Sequence, residues 1–303
     1  MVKTFTLFAN SKMAKKPLVK RIKEVISSAH KPSKGGNKKS FKTIRFVDDL
    51  IGMKHFCDYM DLDLIKEEDL IDGPSYLFCL HPHGVLGYSH YANFMSTYSK
   101  FYSLFPKISL RTCTINLNFK VPFARESFVL RGFISADKES INFSLNKKNN
   151  DASKINAVAI VIGGAKESEL AIPNRNTLVL KNRKGFVKIA IQNGSSLVPV
   201  YSFQENNLYK QIENKTIKKI QNLFQKYTTF RPVLVYGRFG TLIPFRTKIV
   251  TVVGKPIKVA KNPNPTEEEI NKYHKQYILG VREIFDKYKD LYAKDRTEDL
   301  III

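Results

Sequence analysis

His81 and His83 stand two residues apart, with Pro82 between them and Gly84 after them, directly behind the apolar residues 76–80. Proline fixes its own φ, and glycine permits a close backbone approach or a positive φ, so we expect the imidazoles to be held in fixed directions. Imidazole titrates near neutral pH and is the most frequent general base of enzymes. One alternative is a pair of hydrogen-bonded turn residues without a catalytic role. A metal site ranks below both, because no third ligand stands at a spacing such as H-E-x-x-H.

A second buried run, residues 158–162, leads into Gly163, Gly164 and then Glu167. In α/β sheets, ligands and reacting groups collect at the carboxyl ends of the strands. We therefore expect the carboxylate of Glu167 to project at the same sheet edge as the two histidines. The alternative is that this acid only caps the start of a helix.

A third block places Arg183 and Lys184 before Gly185 and Phe186, at the predicted start of a helix. Backbone N–H groups at a helix N-terminus, together with two cations, suit a phosphate group. The block therefore predicts a phosphate-binding site. The alternative is a solvated basic turn.

The elements that would position these residues alternate between buried strands and helices. Apolar runs typical of strands cover residues 76–80, 156–162, 177–180, 196–203 and 248–253. Helical spacing covers residues 184–194, which end at a glycine, and residues 266–290, which begin with a capping box of Thr266 and Glu269. Strands separated by helices indicate βαβ units, and continuous hydrophobicity indicates strands covered on both faces. We expect an α/β fold with a central, mostly parallel mixed sheet flanked by helices.

The net charge is +23, from 50 Lys and Arg against 27 Asp and Glu. This charge attracts polyanions, but it does not distinguish nucleic acid from an anionic membrane surface or a phosphorylated ligand. Residues 1–46 hold 13 Lys and Arg with Glu24 as their single acid. We therefore expect a basic N-terminal arm at residues 1–45 and a folded domain at residues 46–303.

Residues 14–28 of the arm carry apolar side chains at helical spacing, with lysines and an arginine on the other face. The pattern predicts a short amphipathic helix that either packs on the domain or lies on a membrane surface. The uncharged residues 73–99 are long enough to span a bilayer, but they contain histidines, prolines and many polar residues. We predict no transmembrane span.

Six sequence blocks identify a family resemblance. They are HPHG (81–84), SADKES (135–140), VIGGAKES (161–168), LVLKNRKGFVKIAIQNGSSLVPVYSFQEN (178–206), IPFR (243–246) and VTVVGKPI (250–257). In this order and spacing they resemble the type 2 diacylglycerol acyltransferases and monoacylglycerol acyltransferases, with the related wax-alcohol acyltransferases. The resemblance implies a single glycerolipid-acyltransferase-like domain that transfers a fatty acyl group from acyl-CoA to the hydroxyl of diacylglycerol or monoacylglycerol, as in triacylglycerol synthesis. A long-chain alcohol is the alternative acceptor.

The resemblance also implies roles for the site residues. His83 is expected to be the base that removes the hydroxyl proton, and His81 to orient it or bind substrate. Glu167 is expected to supply the carboxylate that orients the base, or to bind the acceptor. Backbone amides around Gly84 or Gly163 are expected to stabilise the oxyanion.

The same resemblance gives acyl-CoA as a co-substrate and implies no cofactor. Arg183 and Lys184 are expected to meet the phosphates of CoA, with Arg125 and Lys138 as weaker candidates. The remaining members of the expected substrate-binding set are Gly164, Gly185 and Phe186.

The implied partners are acyl-CoA, a mono- or diacylglycerol and an anionic membrane surface. The implied location is the cytosolic face of the endoplasmic reticulum membrane, or the lipid droplet, as a peripheral or monotopic protein. Family members usually carry an N-terminal hydrophobic hairpin where this chain has its basic arm. A basic nucleic-acid-binding module is the rival explanation of the charge. Because no stretch resembles an RNA or DNA recognition motif, we expect no nucleic acid.

Overall fold

The computed structural model describes residues 45, 48–49, 52–70, 73–121, 124–146, 153–212, 214, 221 and 233–303. The predicted helix at 14–28 and nearly all of the predicted arm lie outside these residues, so the arm and its boundary with the domain stay predictions. Among the described residues, no helix is both long enough and apolar enough to cross a membrane.

A seven-stranded sheet forms the centre of the fold. Its strands are β1 (Asp63–Lys66), β2 (Ser75–His81), β3 (Ile108–Thr114), β4 (Ile134–Ser135), β5 (Ile155–Val161), β7 (Ser196–Phe203) and β10 (Val250–Val253). Their order across the sheet is β1-β10-β7-β2-β5-β3-β4. Neighbours from β7 to β4 are parallel, β10 is antiparallel to β7, and β1 is parallel to β10. This arrangement confirms the prediction of a mostly parallel mixed sheet.

Two short strand pairs stand apart from the central sheet. β6 (Thr177–Leu178) pairs in parallel with β11 (Ile301–Ile302), close to the C-terminus. β8 (Lys210–Gln211) pairs antiparallel with β9 (Val235–Tyr236). The apolar run at 177–180 was therefore correctly placed in a strand, but that strand does not belong to the central sheet.

Helices cover both faces of the sheet. They are α1 (Met53–Tyr59), α2 (Tyr88–Met95), α3 (Phe101–Leu104), α4 (Ala124–Leu130), α5 (Lys138–Leu145), α6 (Gly164–Glu169), α7 (Gly185–Asn193) and α8 (Glu267–Tyr292). Along β2, Leu77 and Cys79 belong to a core cluster that includes α7 and α8, whereas Phe78 and Leu80 belong to a second cluster with Phe101 of α3. Successive side chains of a strand point to opposite faces, so both faces of β2 are buried. That burial explains its continuous hydrophobicity.

Local signals in the sequence set the ends of the two predicted helices. α7 ends at Gly194, whose φ of +67° glycine adopts without steric cost. α8 begins at a complete capping box, in which the Thr266 hydroxyl accepts from the Glu269 N–H at 3.2 Å and the Glu269 carboxylate accepts from the Thr266 N–H at 3.0 Å. Both helices were predicted to within about two residues of these bounds.

Candidate active site

The candidate site is built at the carboxyl ends of three neighbouring parallel strands. β2 ends at His81, β5 is followed by Gly163 and α6, and β7 is followed by Glu205. The peptide bond after His81 is cis, and Gly84 has a φ of +62°. Residues 81–84 are called the HPHG turn below.

Glu167 in α6 directs its carboxylate back toward the HPHG turn. Its Oε2 accepts a hydrogen bond from the backbone N–H of His83 at 2.8 Å, and its Oε1 accepts one from the backbone N–H of Val179 at 3.0 Å. A Cβ on Gly163 would lie 2.2 Å from the carboxyl carbon, so only glycine leaves room for this carboxylate. The structure thus places Glu167 beside the histidines. It differs from expectation in one respect, since the carboxylate holds the backbone of His83 and not its ring.

His81 is fully buried and is tied to α8. Its Nε2 lies 2.9 Å from the hydroxyl of Tyr277, which itself donates to the carbonyl of Cys79 at 3.2 Å. Because this bond uses the single hydroxyl proton, Nε2 donates to Tyr277. Among the described residues Nδ1 has no hydrogen-bond partner, and it lies 3.8 Å from Oε1 of Glu167. This buried position gives the ring no access to solvent, and the role of His81 in orienting His83 stays a prediction.

His83 is partly exposed, and its ring contacts decide which nitrogen carries the proton. Nδ1 lies 3.0 Å from the carbonyl oxygen of Gly84 and 2.7 Å from the hydroxyl of Ser168. Because a carbonyl oxygen only accepts, the contact with Gly84 favours the tautomer with the proton on Nδ1 and the lone pair on Nε2, in which the Ser168 hydroxyl also accepts from Nδ1. An imidazole fixed in this tautomer can accept a proton at Nε2, as a general base must.

Glu205 is a site residue that the sequence reasoning missed. Its side chain is 2% exposed, and its two oxygens accept from the backbone N–H groups of Tyr88 at 3.1 Å and Ser89 at 2.8 Å. Burial raises the pKa of this carboxyl to about 7. Gly84 lies against it, since a Cβ there would be 2.3 Å from Oε1. An acid at the end of a third buried strand was visible in the sequence, and the same signal had singled out Glu167.

His90 supports the HPHG turn from the inside. Its Nε2 donates to the carbonyl of Pro82 at 2.6 Å. Burial lowers the pKa of His90 to about 3, so the ring stays neutral at physiological pH. The ring is a structural donor that fixes the backbone between the two motif histidines.

Arg183 and Lys184 precede α7, and the first turn of α7 packs against a residue that contacts His81. Lys184 occupies the N-cap position of α7, and Arg183 before it is exposed. Phe186 is buried, and its ring centroid lies 4.9 Å from that of Tyr277, the partner of His81. The expected contact of Phe186 with substrate is therefore replaced by a core position behind His81.

Gly164 and Gly185 stand at the first positions of α6 and α7. A Cβ at either residue would meet no atom within 4 Å. Packing therefore does not require glycine at these positions, and both helix N-termini border open space.

Arg125 and Lys138 lie farther along the sheet. Arg125 belongs to α4, which follows β3, and Lys138 begins α5, which follows β4. In the strand order, β3 and β4 are two and three places from β2. The structure therefore gathers His81, His83, Gly84, Gly163 and Glu167 at one edge, but it places these two cations toward the far side of the sheet.

Comparison with known proteins identifies the family. A family model described as diacylglycerol acyltransferase matches residues 28–303. Human diacylglycerol O-acyltransferase 2 is 36% identical over 278 residues, covering 89% of this chain and 69% of that protein. Diacylglycerol O-acyltransferase 2B of Umbelopsis ramanniana is 39% identical over 284 residues, covering 90% and 78%. Human 2-acylglycerol O-acyltransferase 1 is 38% identical over 282 residues, covering 90% and 81%.

One solved structure is also similar. It is the 1-acyl-sn-glycerophosphate (LPA) acyltransferase PlsC from Thermotoga maritima, with 12% identity and a TM-score of 0.45 over 86% of this chain and 88% of that one. Likeness at this level carries no argument about the present site. The match of the family model to nearly the whole chain, together with relatives of 36 to 39% identity, confirms the resemblance found in the sequence. The chain belongs to the diacylglycerol acyltransferase family and is an acyltransferase.

Proposed function

We propose that this protein is an acyl-CoA:acylglycerol O-acyltransferase that esterifies the free hydroxyl of diacylglycerol or monoacylglycerol. The relatives compared above are named as diacylglycerol and 2-acylglycerol O-acyltransferases, which supports acyl transfer to an acylglycerol. A long-chain alcohol is the alternative acceptor, and the names of these relatives do not favour it.

The observation that carries the proposal is the contact of His83 Nδ1 with the Gly84 carbonyl, which leaves the lone pair on Nε2. In the proposed reaction Nε2 takes the proton of the acceptor hydroxyl while the hydroxyl oxygen attacks the thioester carbonyl carbon. The carbon–sulfur bond then breaks, CoA leaves as the thiolate, and His83 returns the proton to the sulfur. A positioned general base contributes roughly 10²- to 10⁴-fold to the rate.

Two buried carboxyl groups lie against the HPHG turn that carries the base. Glu167 accepts from His83 N–H, and Glu205 accepts from the first two N–H groups of α2. These amides are committed to carboxylates, so the oxyanion of the tetrahedral intermediate needs other donors. The backbone N–H of Gly84 is our candidate, because this residue follows the base directly and lies in the same turn.

The cations before α7 are the proposed contact for CoA. Arg183 is exposed, Lys184 is partly exposed, and the adjacent Gly185 borders open space at the helix N-terminus. Phosphate groups bind favourably where helix N–H groups and cations combine. Acyl-CoA then needs no further cofactor to deliver its acyl group.

We place this reaction at a membrane surface on the cytosolic side, at the endoplasmic reticulum or the lipid droplet, with the protein bound as a peripheral or monotopic enzyme. Both substrates are amphiphiles that reside in or at lipid. The net charge of +23 supports attraction to anionic lipid.

The proposal is tested by measuring thiol release from an acyl-CoA in lipid vesicles. Separate arms contain monoacylglycerol, diacylglycerol, long-chain alcohol or no acceptor, and lipid extraction identifies the ester. We expect acceptor-dependent thiol release and an ester product with at least one acylglycerol. Product with the alcohol alone would favour wax ester synthesis, and the absence of thiol release in every arm would contradict the proposal.

A further inference from the structure

A loop between β9 and β10, residues 238–243, presents large apolar side chains to solvent. Phe239 is 80% exposed, Leu242 is 71% exposed and Ile243 is 50% exposed. Exposed apolar residues scattered singly need no explanation, but a cluster on one short segment marks an interaction site. The proposed reaction does not use this loop.

The loop is held in a defined shape by hydrogen bonds to its own backbone and to its base. The N–H of Gly237 donates to the carbonyl of Thr241 at 2.7 Å, and the N–H of Arg238 donates to the carbonyl of Ile243 at 2.7 Å. The hydroxyl of Tyr209 donates to the carbonyl of Leu242 at 2.8 Å. With its polar backbone groups used internally, the loop points its apolar side chains outward.

The backbone of Phe239 gives a second, independent sign of a functional loop. Its φ of +58° and ψ of 23° lie in the left-handed region, which a bulky aromatic residue rarely adopts. Such conformations persist where the surrounding structure enforces them, and they cluster at functional sites. Here the backbone conformation is strained, and the exposure of the ring to water is unfavourable. Burial of the ring in an apolar environment outside the protein would offset the cost of its exposure.

The charges around the loop indicate the kind of apolar environment that would receive the ring. Arg238 lies over the Phe239 ring at 4.7 Å, and Arg246 and Lys210 at the base of the loop are exposed. No acidic residue occurs between positions 233 and 260. Apolar tips flanked by cations match the interface of an anionic bilayer, where rings enter the acyl boundary and cations meet lipid phosphates.

The loop is coupled to the candidate site by stacked aromatic rings. Tyr209, which holds the Leu242 carbonyl, stacks on Tyr88 with ring centroids 5.9 Å apart. Tyr88 is the first residue of α2, and its N–H donates to Glu205 beneath the HPHG turn. A bilayer that received the loop would therefore lie at the sheet edge that carries His83.

We propose that the 238–243 loop is a membrane-insertion element that docks this edge of the enzyme on an anionic phospholipid bilayer. Phe239, Leu242 and Ile243 enter the interfacial region, and Arg238 and Arg246 contact lipid phosphates. This inference rests on the proposed function, because a lipid acceptor must reach His83 from the bilayer.

The sequence offers a direct probe, since the chain contains no tryptophan. Phe239→Trp introduces a single tryptophan at the tip, and Leu279→Trp on α8, where the native side chain is 50% exposed, is the matched control. Vesicles of phosphatidylcholine and phosphatidylserine, with and without brominated acyl chains, are added to each full-length protein. We expect a blue shift and bromine quenching for the Phe239→Trp protein and neither for the Leu279→Trp protein. Unchanged emission from position 239 would overturn the inference, even if the protein bound the vesicles through another surface.

A second measurement compares vesicle affinity by sedimentation. Phe239→Ser with Leu242→Ser removes two insertion residues, and Leu279→Ser with Leu291→Ser removes from α8 two apolar side chains that are 50% and 60% exposed. Each large apolar side chain that leaves water contributes roughly tenfold or more to binding, so the first pair is expected to weaken it by about a hundredfold and the second pair to leave it unchanged. Equal affinity of both pairs would contradict insertion.

Enzyme assays separate failure of this inference from failure of the proposed function. With acyl-CoA and a short-chain acylglycerol below their micellar concentrations, the loop pair is expected to match the wild type. With acceptor in vesicles, it is expected to be slower. A wild type that releases no thiol in either format would refute the function, whereas equal vesicle rates for wild type and the loop pair would refute only the inference.

Discussion

Glu205 makes the stability of this enzyme depend on pH in a way that one substitution should remove. The carboxyl is 2% exposed, accepts two backbone N–H groups, and has a pKa raised by burial to about 7. Its folded-state pKa lies above the usual value of 4.5, so the folded chain binds more protons than the unfolded chain between about pH 4.5 and pH 7. The free energy of unfolding therefore falls as the pH rises through this window.

The size of the effect follows from the two pKa values. A difference from 4.5 to about 7 corresponds to roughly 3 kcal/mol when each pKa unit is worth about 1.4 kcal/mol. Glu205→Gln cannot ionise and should lose this contribution to the pH dependence. The variant also places an amide NH₂ where one carboxylate oxygen accepted an N–H, so we expect an additional, pH-independent loss of about 1–3 kcal/mol.

Urea unfolding followed by circular dichroism at pH 5, 6, 7 and 8 measures both terms. Between pH 5 and pH 8 the wild type should lose about 2.5 kcal/mol more than Glu205→Gln, mostly below pH 7. Glu268→Gln, an exposed acid in the first turn of α8, is the matched control and should keep the wild-type dependence. Parallel curves for the wild type and Glu205→Gln would refute the reasoning, because the Glu205 carboxyl would then contribute nothing to the pH dependence of the free energy of unfolding.

Two further substitutions test the support of the histidines. Gly163→Ala should displace the Glu167 carboxylate, whose carboxyl carbon a Cβ would approach to 2.2 Å, and should lower kcat for thiol release. Gly280→Ala on α8, where a Cβ would make no contact closer than 3.4 Å, is the control and should keep the wild-type kcat. Equal kcat values for Gly163→Ala and the wild type would contradict the role given to Glu167. Tyr277→Phe leaves the buried N–H of His81 without its 2.9 Å acceptor, so it should lower the free energy of unfolding by about 1–3 kcal/mol. Thermal unfolding measures this loss, and an unchanged midpoint would contradict the assigned hydrogen bond.

The sequence predicted the parts of the fold that depend on local signals. Uninterrupted apolar runs located β2, β5 and β7, because strands covered on both faces carry apolar side chains at every position. The pairing of Thr266 with Glu269 located the start of α8, and Gly194 the end of α7. The position of β10, antiparallel beside β7, depends on long-range pairing, which no local pattern encodes.

The shared position of the two motif histidines and Glu167 was predicted, but their contacts and the other members of the site were not. The rule that strand ends collect reacting groups brought His81, His83 and Glu167 to one edge. The same rule applies to Glu205, which follows β7, but its burial depends on packing that the sequence does not show. Side-chain directions follow from packing and not from residue order. For this reason the sequence did not predict that Glu167 binds a backbone N–H or that Phe186 is buried.

The central claim is that His83 takes the acceptor proton at Nε2, and the kcat of thiol release by His83→Ala tests it most directly. His55→Ala, which removes an exposed histidine of α1, is the control and should match the wild type. At saturating acyl-CoA and acylglycerol, the account predicts a kcat for His83→Ala that is lower by roughly 10²- to 10⁴-fold, with partial recovery when imidazole is added. A His83→Ala enzyme with the kcat of the wild type would contradict it.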